Sequence, residues 1–284
     1  MNMVALMRTA KPSTLLLLSL VTLAGASCSS GFLSSPSGTA SLSGAAVAVV
    51  IVALVWSATA ILNDCYDVEI DRVSNPSRAV VRGLLRRDEA LRAAVLLYAL
   101  AMMAMLTLRD TASKGVVMLG IILGVQYSAP PLRLRRWGVA GMLVIGSGVA
   151  LAFLLGSLSQ GSISTEALVT AFLFGIFAFN AAIIKDFKDL EGDRKAGVVT
   201  LPVLLGYRRA AALALLGVGL SYAMLIAHTP GFTRALLLLI AIPHLYGILR
   251  LYRGCEAPFK AYALTKVCGI CVVLTFILGE ITGG

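Results

Sequence analysis

The sequence predicts an all-α, polytopic membrane protein with nine membrane-spanning helices. Three observations carry this. Of 284 residues, 58% are hydrophobic and 13% charged, with a mean hydropathy of +0.90, which leaves too little polar surface to cover a soluble globule of this size. The apolar residues gather into runs close to the roughly 20 helical residues that cross a hydrocarbon core. The charged residues collect between those runs.

Arg8 and Lys11-Pro12 precede the first run, 13–33, a start that also describes a signal peptide; the apolar runs that follow favour a permanent span. The second span, 44–62, delivers Asn63 and Asp64 at its end, and a polar stretch, 65–88, follows with Arg72, Arg78, Arg82, Arg86 and Arg87. Spans three to five read as 90–108, 113–127 and 139–159, with a basic loop, 128–138, between the last two. Span six, 167–184, ends at Lys185-Asp186, a second long polar stretch reaches Arg209, and spans 211–227, 235–251 and 261–278 complete the chain.

With the N-terminus in the cytoplasm, 21 of the 24 Lys and Arg residues fall in loops on that side. This is the positive-inside bias. It places the N-terminus and both polar stretches in the cytoplasm and the C-terminus outside. The net charge of +10 is then topological, and no nucleic-acid partner is expected. The five cysteines are dispersed, and Cys268 and Cys271 lie inside an apolar run without companion ligands, so they read as small core or lipid-facing residues. His228 and His244 are remote in sequence from the polar stretches and receive no catalytic role.

The polar stretches repeat one pattern. Asp64, Asp67 and Asp71 recur as Asp186, Asp189 and Asp193, an offset of 122 residues, and an Arg follows each set (Arg72, Arg194). Spacing of i, i+3 and i+7 puts three carboxylates on one helix face, while Glu69 and Glu191 point elsewhere. Like charges on one face repel, so a cation belongs there, and hard divalent ions suit oxygen ligands. The repeat divides a single domain, 1–284, into halves of about 1–138 and 139–284 and sets the two acidic faces across a central cavity.

Carboxylates alone hold Mg2+ weakly; substrate phosphates complete its shell. The basic residues beside the aspartates, Arg72, Arg78 and Arg82, then Lys185, Lys188, Arg194 and Lys195, with Arg133 and Arg135 on the loop 128–138, point to a phosphorylated substrate. A diphosphate held by such charges becomes a good leaving group. Phe172, Phe174, Phe177 and Phe179 put ring faces near the second aspartate set; such faces attract cations, and on an apolar helix they also serve as lipid or core contacts.

Asn63-Asp64-x-x-Asp67-x-x-x-Asp71, Asp186-x-x-Asp189-x-x-x-Asp193, Tyr127-Ser-x-Pro-Pro-x-Arg and Met7-Arg8-x-x-Lys11-Pro12 together resemble the UbiA family of intramembrane prenyltransferases over nearly the whole chain. The resemblance implies nine transmembrane helices around a central cavity with cytoplasmic cap loops. It also implies Mg2+-dependent transfer of an isoprenoid from its diphosphate to a small amphiphilic acceptor at the lipid bilayer. The six aspartates would hold the diphosphate through Mg2+ with Asn63 assisting, and Tyr127, Arg133, Arg78, Arg72, Lys185 and Lys188 would bind substrate.

Two departures stand out: Arg78 is followed by Ala79 where the family often has Pro, and the family's Tyr-x-x-x-Lys is here Tyr127-x-x-x-Pro131. The tract 184–194 with Thr200-Leu201-Pro202 is similar to archaeal members that add geranylgeranyl to geranylgeranylglyceryl phosphate in ether-lipid synthesis. The opening around Arg8 is closer to members that prenylate 4-hydroxybenzoate; Arg8 or Lys11 is a candidate partner of an anionic acceptor, with interfacial anchoring the role favoured for each. A secondary transporter and a CDP-alcohol phosphotransferase are the readings from other classes. Isoprenoid length, the number of ions and oligomeric state are not written in the spacing.

Overall fold

A computed structural model describes residues 3–28, 38–161 and 163–282. Among these, every regular element is helical: α1 Met3–Thr9, α2 Pro12–Ser27, α3 Gly38–Tyr66, α4 Val68–Ser74, α5 Arg87–Met105, α6 Thr111–Ser128, α7 Val139–Leu158, α8 Thr165–Lys195, α9 Leu201–Leu205, α10 Tyr207–His228, α11 Gly231–Tyr252 and α12 Pro258–Thr282. The expected end of the first span near Leu33 lies outside the described residues.

Six helices, α3, α7, α8, α10, α11 and α12, are long and apolar enough to cross a membrane, and α1 with α2, bent by 56°, makes a seventh if the pair is one span. This is a multi-pass membrane architecture. The expected third and fourth spans fall on α5 and α6, which do not meet that standard. The reason is polar content: α5 opens with Arg87, Asp88, Glu89 and Arg92, and α6 carries Lys114 and Gln126. Both still turn large apolar side chains outward, Val95, Leu96 and Met103 on α5 and Leu119 and Ile122 on α6, as α10 and α11 do with Leu216 and Leu239.

The polar stretches are more helical than a loop reading allows. α8 runs unbroken from its N-cap, where Ser164 accepts a hydrogen bond from the Ala167 amide, to Lys195. Buried Ile184 and Phe187 anchor its polar end, and a Glu191–Lys195 pair at 3.0 Å supports the last turn. The first copy is interrupted: α3 ends at Tyr66 and α4 begins at Val68. The Asp71 amide still reaches the Asp67 carbonyl at 2.8 Å, so the break is a kink rather than an excursion.

Small residues let the backbones approach, as is usual for helices packing in lipid. A Cβ on Gly25 of α2 would lie 1.9 Å from the Phe153 carbonyl of α7, and one on Gly156 of α7 would lie 1.8 Å from the Thr22 carbonyl of α2. Gly146 and Gly175 make a similar contact between α7 and α8. One apolar core is built mainly by α2, α7, α8 and α10 to α12, the other by α3, α5 and α6. Between them lies a cavity of about 490 Å3. Its apolar wall includes Leu17, Val55, Leu123, Val149, Phe177 and Val273.

The α2–α7 contact can be tested directly. Gly156→Val forces the backbones apart, and overpacking of this kind costs about 1–3 kcal/mol; the melting midpoint of the detergent-purified protein should fall by several degrees. Gly115→Ala, whose added methyl meets nothing within 4 Å, should leave the midpoint within about 1 °C.

Candidate active site

All six aspartates of the repeated motif are buried, at exposures between 1% and 7%, and the structure brings both sets to one end of the cavity. Asp64, near the end of α3, receives Arg78 Nη1 at 2.7 and 2.8 Å on its two carboxylate oxygens. Lys11 Nζ lies 3.4 Å from Asp64 and donates to Asn63 Oδ1 at 3.2 Å. Asn63 in turn donates to Asp67, which pairs with Arg135.

Two side chains join the motifs. Arg135 Nη2 reaches Asp189 at 3.5 Å and Asp193 at 3.6 Å while Nη1 holds Asp67. Asn75 Nδ2 donates to Asp71 at 2.9 Å and to Asp189 at 2.8 Å. On the α8 side, Lys188 donates to Asp189 at 2.7 Å, and Lys185 sits 3.4 Å from Asp186 while donating to the Tyr127 hydroxyl at 2.9 Å. Burial raises the Asp71 carboxyl above the ordinary carboxylate range against the pull of Arg78. Burial works against the Arg135 charge, yet Asp67 and the other carboxylates around it keep that guanidinium above its ordinary value.

Local chain geometry presents these groups. Lys11 occupies the left-handed region (φ 54°) in the bend between α1 and α2, and the Trp56 indole donates to the Ala10 carbonyl at 3.2 Å beside it. Arg135 sits in a 3-10 turn, Leu134–Arg136, docked on the chain after α8: Arg136 donates to the Ala196 carbonyl at 2.6 Å, and the Val199 amide returns a bond to Arg136 at 3.0 Å. Gly138, at φ 41°, completes the docking, since a Cβ there would lie 2.5 Å from the Val199 carbonyl.

Several expected residues stand elsewhere. Arg72 and Arg8 are exposed and do not line the cavity. Arg133 donates to the Tyr66 carbonyl at 3.1 Å and lies over the Tyr66 ring, so Arg135 holds the place expected of Arg133. A left-handed backbone at Arg133 (φ 46°) turns its side chain away from that of Arg135. Of the four phenylalanines, Phe174 and Phe177 line the cavity, Phe172 is exposed and Phe179 packs against the core. Lys11 and Asn75 join the site although the aspartate pattern does not mark Asn75 at all.

The cavity end is lined by Asp71, Asp189, Asn63, Tyr127 and the basic groups, whereas Asp64 and Asp67 lie behind Arg78 and Arg135. Among the described residues, no three acidic, His or Cys side chains stand as a ready metal cluster. The carboxylates close on Arg and Lys instead. The donor set nevertheless fits a hard dication. Both carboxylate oxygens of Asp193, 1% exposed, accept no hydrogen bond, and a buried acceptor left unsatisfied is costly. Arg135 draws Asp67 and Asp189, two further hard oxygen donors, to the same place.

Residues 13–265 match the UbiA prenyltransferase family. The digeranylgeranylglyceryl phosphate synthase of Pyrococcus abyssi is 30% identical over 257 residues, covering 82% of this chain and 84% of that protein. The synthase of the same name from Sulfolobus acidocaldarius is 26% identical over 236 residues, with the same coverage of 82% and 84%. A UbiA homologue from Archaeoglobus fulgidus, solved with DMAPP and Mg2+, superposes with a TM-score of 0.74 at 18% identity, covering 98% of this chain and 99% of that one, and shares the fold. The chain belongs to the UbiA family and is a prenyltransferase.

Proposed function

We propose that this prenyltransferase moves a geranylgeranyl group from its diphosphate to geranylgeranylglyceryl phosphate, making the diether core of membrane lipids. One observation carries the reading: two buried aspartate sets and their basic partners meet at the head of an otherwise apolar cavity. That arrangement suits a molecule with a diphosphate head and a hydrocarbon tail. The names of the Pyrococcus and Sulfolobus relatives supply the acceptor. The nine spans, the cytoplasmic N-terminus and site, the outer C-terminus and the descent of the two halves from one repeat belong to the same proposal, supported by the charge bias and by the outward apolar faces of α5 and α6.

Asp64, Asp67, Asp71, Asp186, Asp189 and Asp193 would hold Mg2+, which when bound neutralises diphosphate and makes it a better leaving group. Arg78, Arg135, Lys185 and Lys188, now paired with these carboxylates, are positioned to turn toward the diphosphate oxygens. Lys185 and Tyr127 hold each other in place at the cavity wall. The free hydroxyl oxygen of the acceptor forms a bond to C1 of the isoprenoid as the C1–O bond breaks. The bonding pair leaves with diphosphate and the hydroxyl proton is released. Phe174, Phe177 and the aliphatic wall exclude water from the developing allylic cation.

Purified protein given geranylgeranyl diphosphate, geranylgeranylglyceryl phosphate and Mg2+ should yield the diether phosphate by mass, with EDTA stopping the reaction and Mg2+ restoring it. Product from 4-hydroxybenzoate and none from the glyceryl phosphate would replace the acceptor. Asp71→Asn and Asp189→Asn should each lower kcat by about 100-fold or more in protein that still elutes as a single species. Arg135→Ala should match that loss, whereas Arg133→Ala should remain within about threefold of the parent, because its guanidinium faces Tyr66.

A further inference from the structure

The basic side chains around the cavity divide into two kinds. Lys11, Arg78, Arg135, Lys185 and Lys188 each pair with an aspartate. Among the described residues, Lys266 of α12 is the lining cation without a carboxylate partner. It donates to Ser13 Oγ of α2 at 3.0 Å and rests over the Tyr262 ring, 4.9 Å from its centroid. Lys188 lies 5.8 Å from the same centroid, so Tyr262 stands between Lys266 and the aspartate end. Ser13 lines the cavity and is also exposed. The contact therefore bridges α2 and α12 at an exposed edge of the cavity.

An ammonium group has three donors, and one hydrogen bond to a serine leaves Lys266 with capacity for an anion. Two phosphate groups placed side by side repel, so a second phosphorylated substrate needs countercharge of its own, apart from the charges that serve the diphosphate. An edge site set apart from the aspartates offers a second anionic head such countercharge. We propose that Lys266 and Ser13 form the headgroup site of the acceptor, with Lys266 binding its phosphate and the Ser13 hydroxyl adding a polar contact. The assignment rests on the glyceryl phosphate reading of the acceptor. In glyceryl phosphate the free hydroxyl lies within two carbons of the one bearing phosphate. A head anchored at Lys266 thus directs that hydroxyl past Tyr262 toward the diphosphate end.

The test uses Lys266→Gln, Lys266→Arg and, as a control, Lys260→Gln on the exposed first turn of α12. Calorimetric titration of detergent-purified protein with geranylgeranylglyceryl phosphate, in the absence of Mg2+ and donor, reads acceptor binding apart from turnover. Lys266→Gln should weaken binding and raise the acceptor KM by about 10- to 100-fold while the donor KM stays within about twofold. Lys266→Arg should recover most of the loss, and Lys260→Gln should match the parent. Geranylgeranylglycerol, which lacks the phosphate, should bind the parent and Lys266→Gln equally. Unchanged binding of the phosphate acceptor in Lys266→Gln, or donor and acceptor KM rising together, would overturn the site. If the parent binds 4-hydroxybenzoate and not the glyceryl phosphate, the acceptor reading fails by itself. Loss of the benzoate in Lys266→Gln would then keep Lys266 as the acceptor's anion anchor, and its retention would end the proposal.

Discussion

The structure depends on how six buried carboxylates are neutralised at the edge of a membrane. Ionised groups beside hydrocarbon are expensive, and like charges this close raise the cost. The chain answers with cations drawn from separate segments: Lys11 before α2, Arg78 after α4, Arg135 in the turn between α6 and α7, and Lys185 and Lys188 on α8. The Lys11, Arg78 and Arg135 pairs are also tertiary contacts between separate segments, whereas Lys185 and Lys188 pair with their own neighbours on α8. Arg135 alone fastens the α6–α7 connection to both aspartate sets. Neutralising the acids and closing that end of the bundle are one event, and removing one member leaves its partners buried without compensation.

The same pairing suits the dication and diphosphate proposed for this end of the cavity. Carboxylates that would ligate a cation and basic groups that would bind phosphate oxygens hold each other. A metal diphosphate would offer both sets partners of the needed sign. Asp193, which accepts no hydrogen bond, would gain a partner that way. Deeper in the bundle a buried histidine has its polar atoms satisfied internally. His244, fully buried, lies within 3.1 Å of both the Tyr222 and the Thr265 hydroxyls, and Thr265 donates to the Ala261 carbonyl. A tautomer protonated on Nε2 completes a donor chain from Tyr222 to Ala261, tying α10, α11 and α12 together without exposing a hydrogen-bonding group to the reacting end.

Much of this was legible in the sequence, for identifiable reasons. The apolar runs place α2, α3, α7, α8 and α10 to α12, because the length needed to cross a bilayer is a strong constraint on composition. The repeated aspartates point to one end of the cavity, and the second set keeps its spacing on one continuous helix, α8. Side-chain direction in loops is not encoded so simply. Arg133 and Arg135 are two residues apart in a run of basic residues, and only the 3-10 turn and its docking on Ala196 and Val199 send one to Tyr66 and the other to the carboxylates. Asn75 lies beyond the repeat and has no counterpart in the second copy, so spacing could not flag it. Arg8 and Lys11 share one basic opening, yet the bend at Lys11 separates an exposed side chain from one lining the cavity.

Equal spacing in the two motifs does not produce equal backbones, and the difference has a physical cause. α8 carries its three aspartates on one continuous helix, whereas the first set straddles the break between α3 and α4. The break lets α4 lie against α8 at close range. Gly192 makes this approach possible, since a Cβ there would stand 2.4 Å from Ser74 Oγ and 2.6 Å from the Ile70 carbonyl. Ser74 then donates to the Asp189 carbonyl at 3.1 Å and accepts from the Gly192 amide at 3.0 Å, and Asn75, the next residue, is delivered between Asp71 and Asp189. A straight α3 would carry Asp71 onward along its own axis and forfeit that contact. The kink at Asp67 therefore converts two parallel acidic faces into one shared pocket, with the unbroken α8 as the fixed side and α4 as the side seated on it.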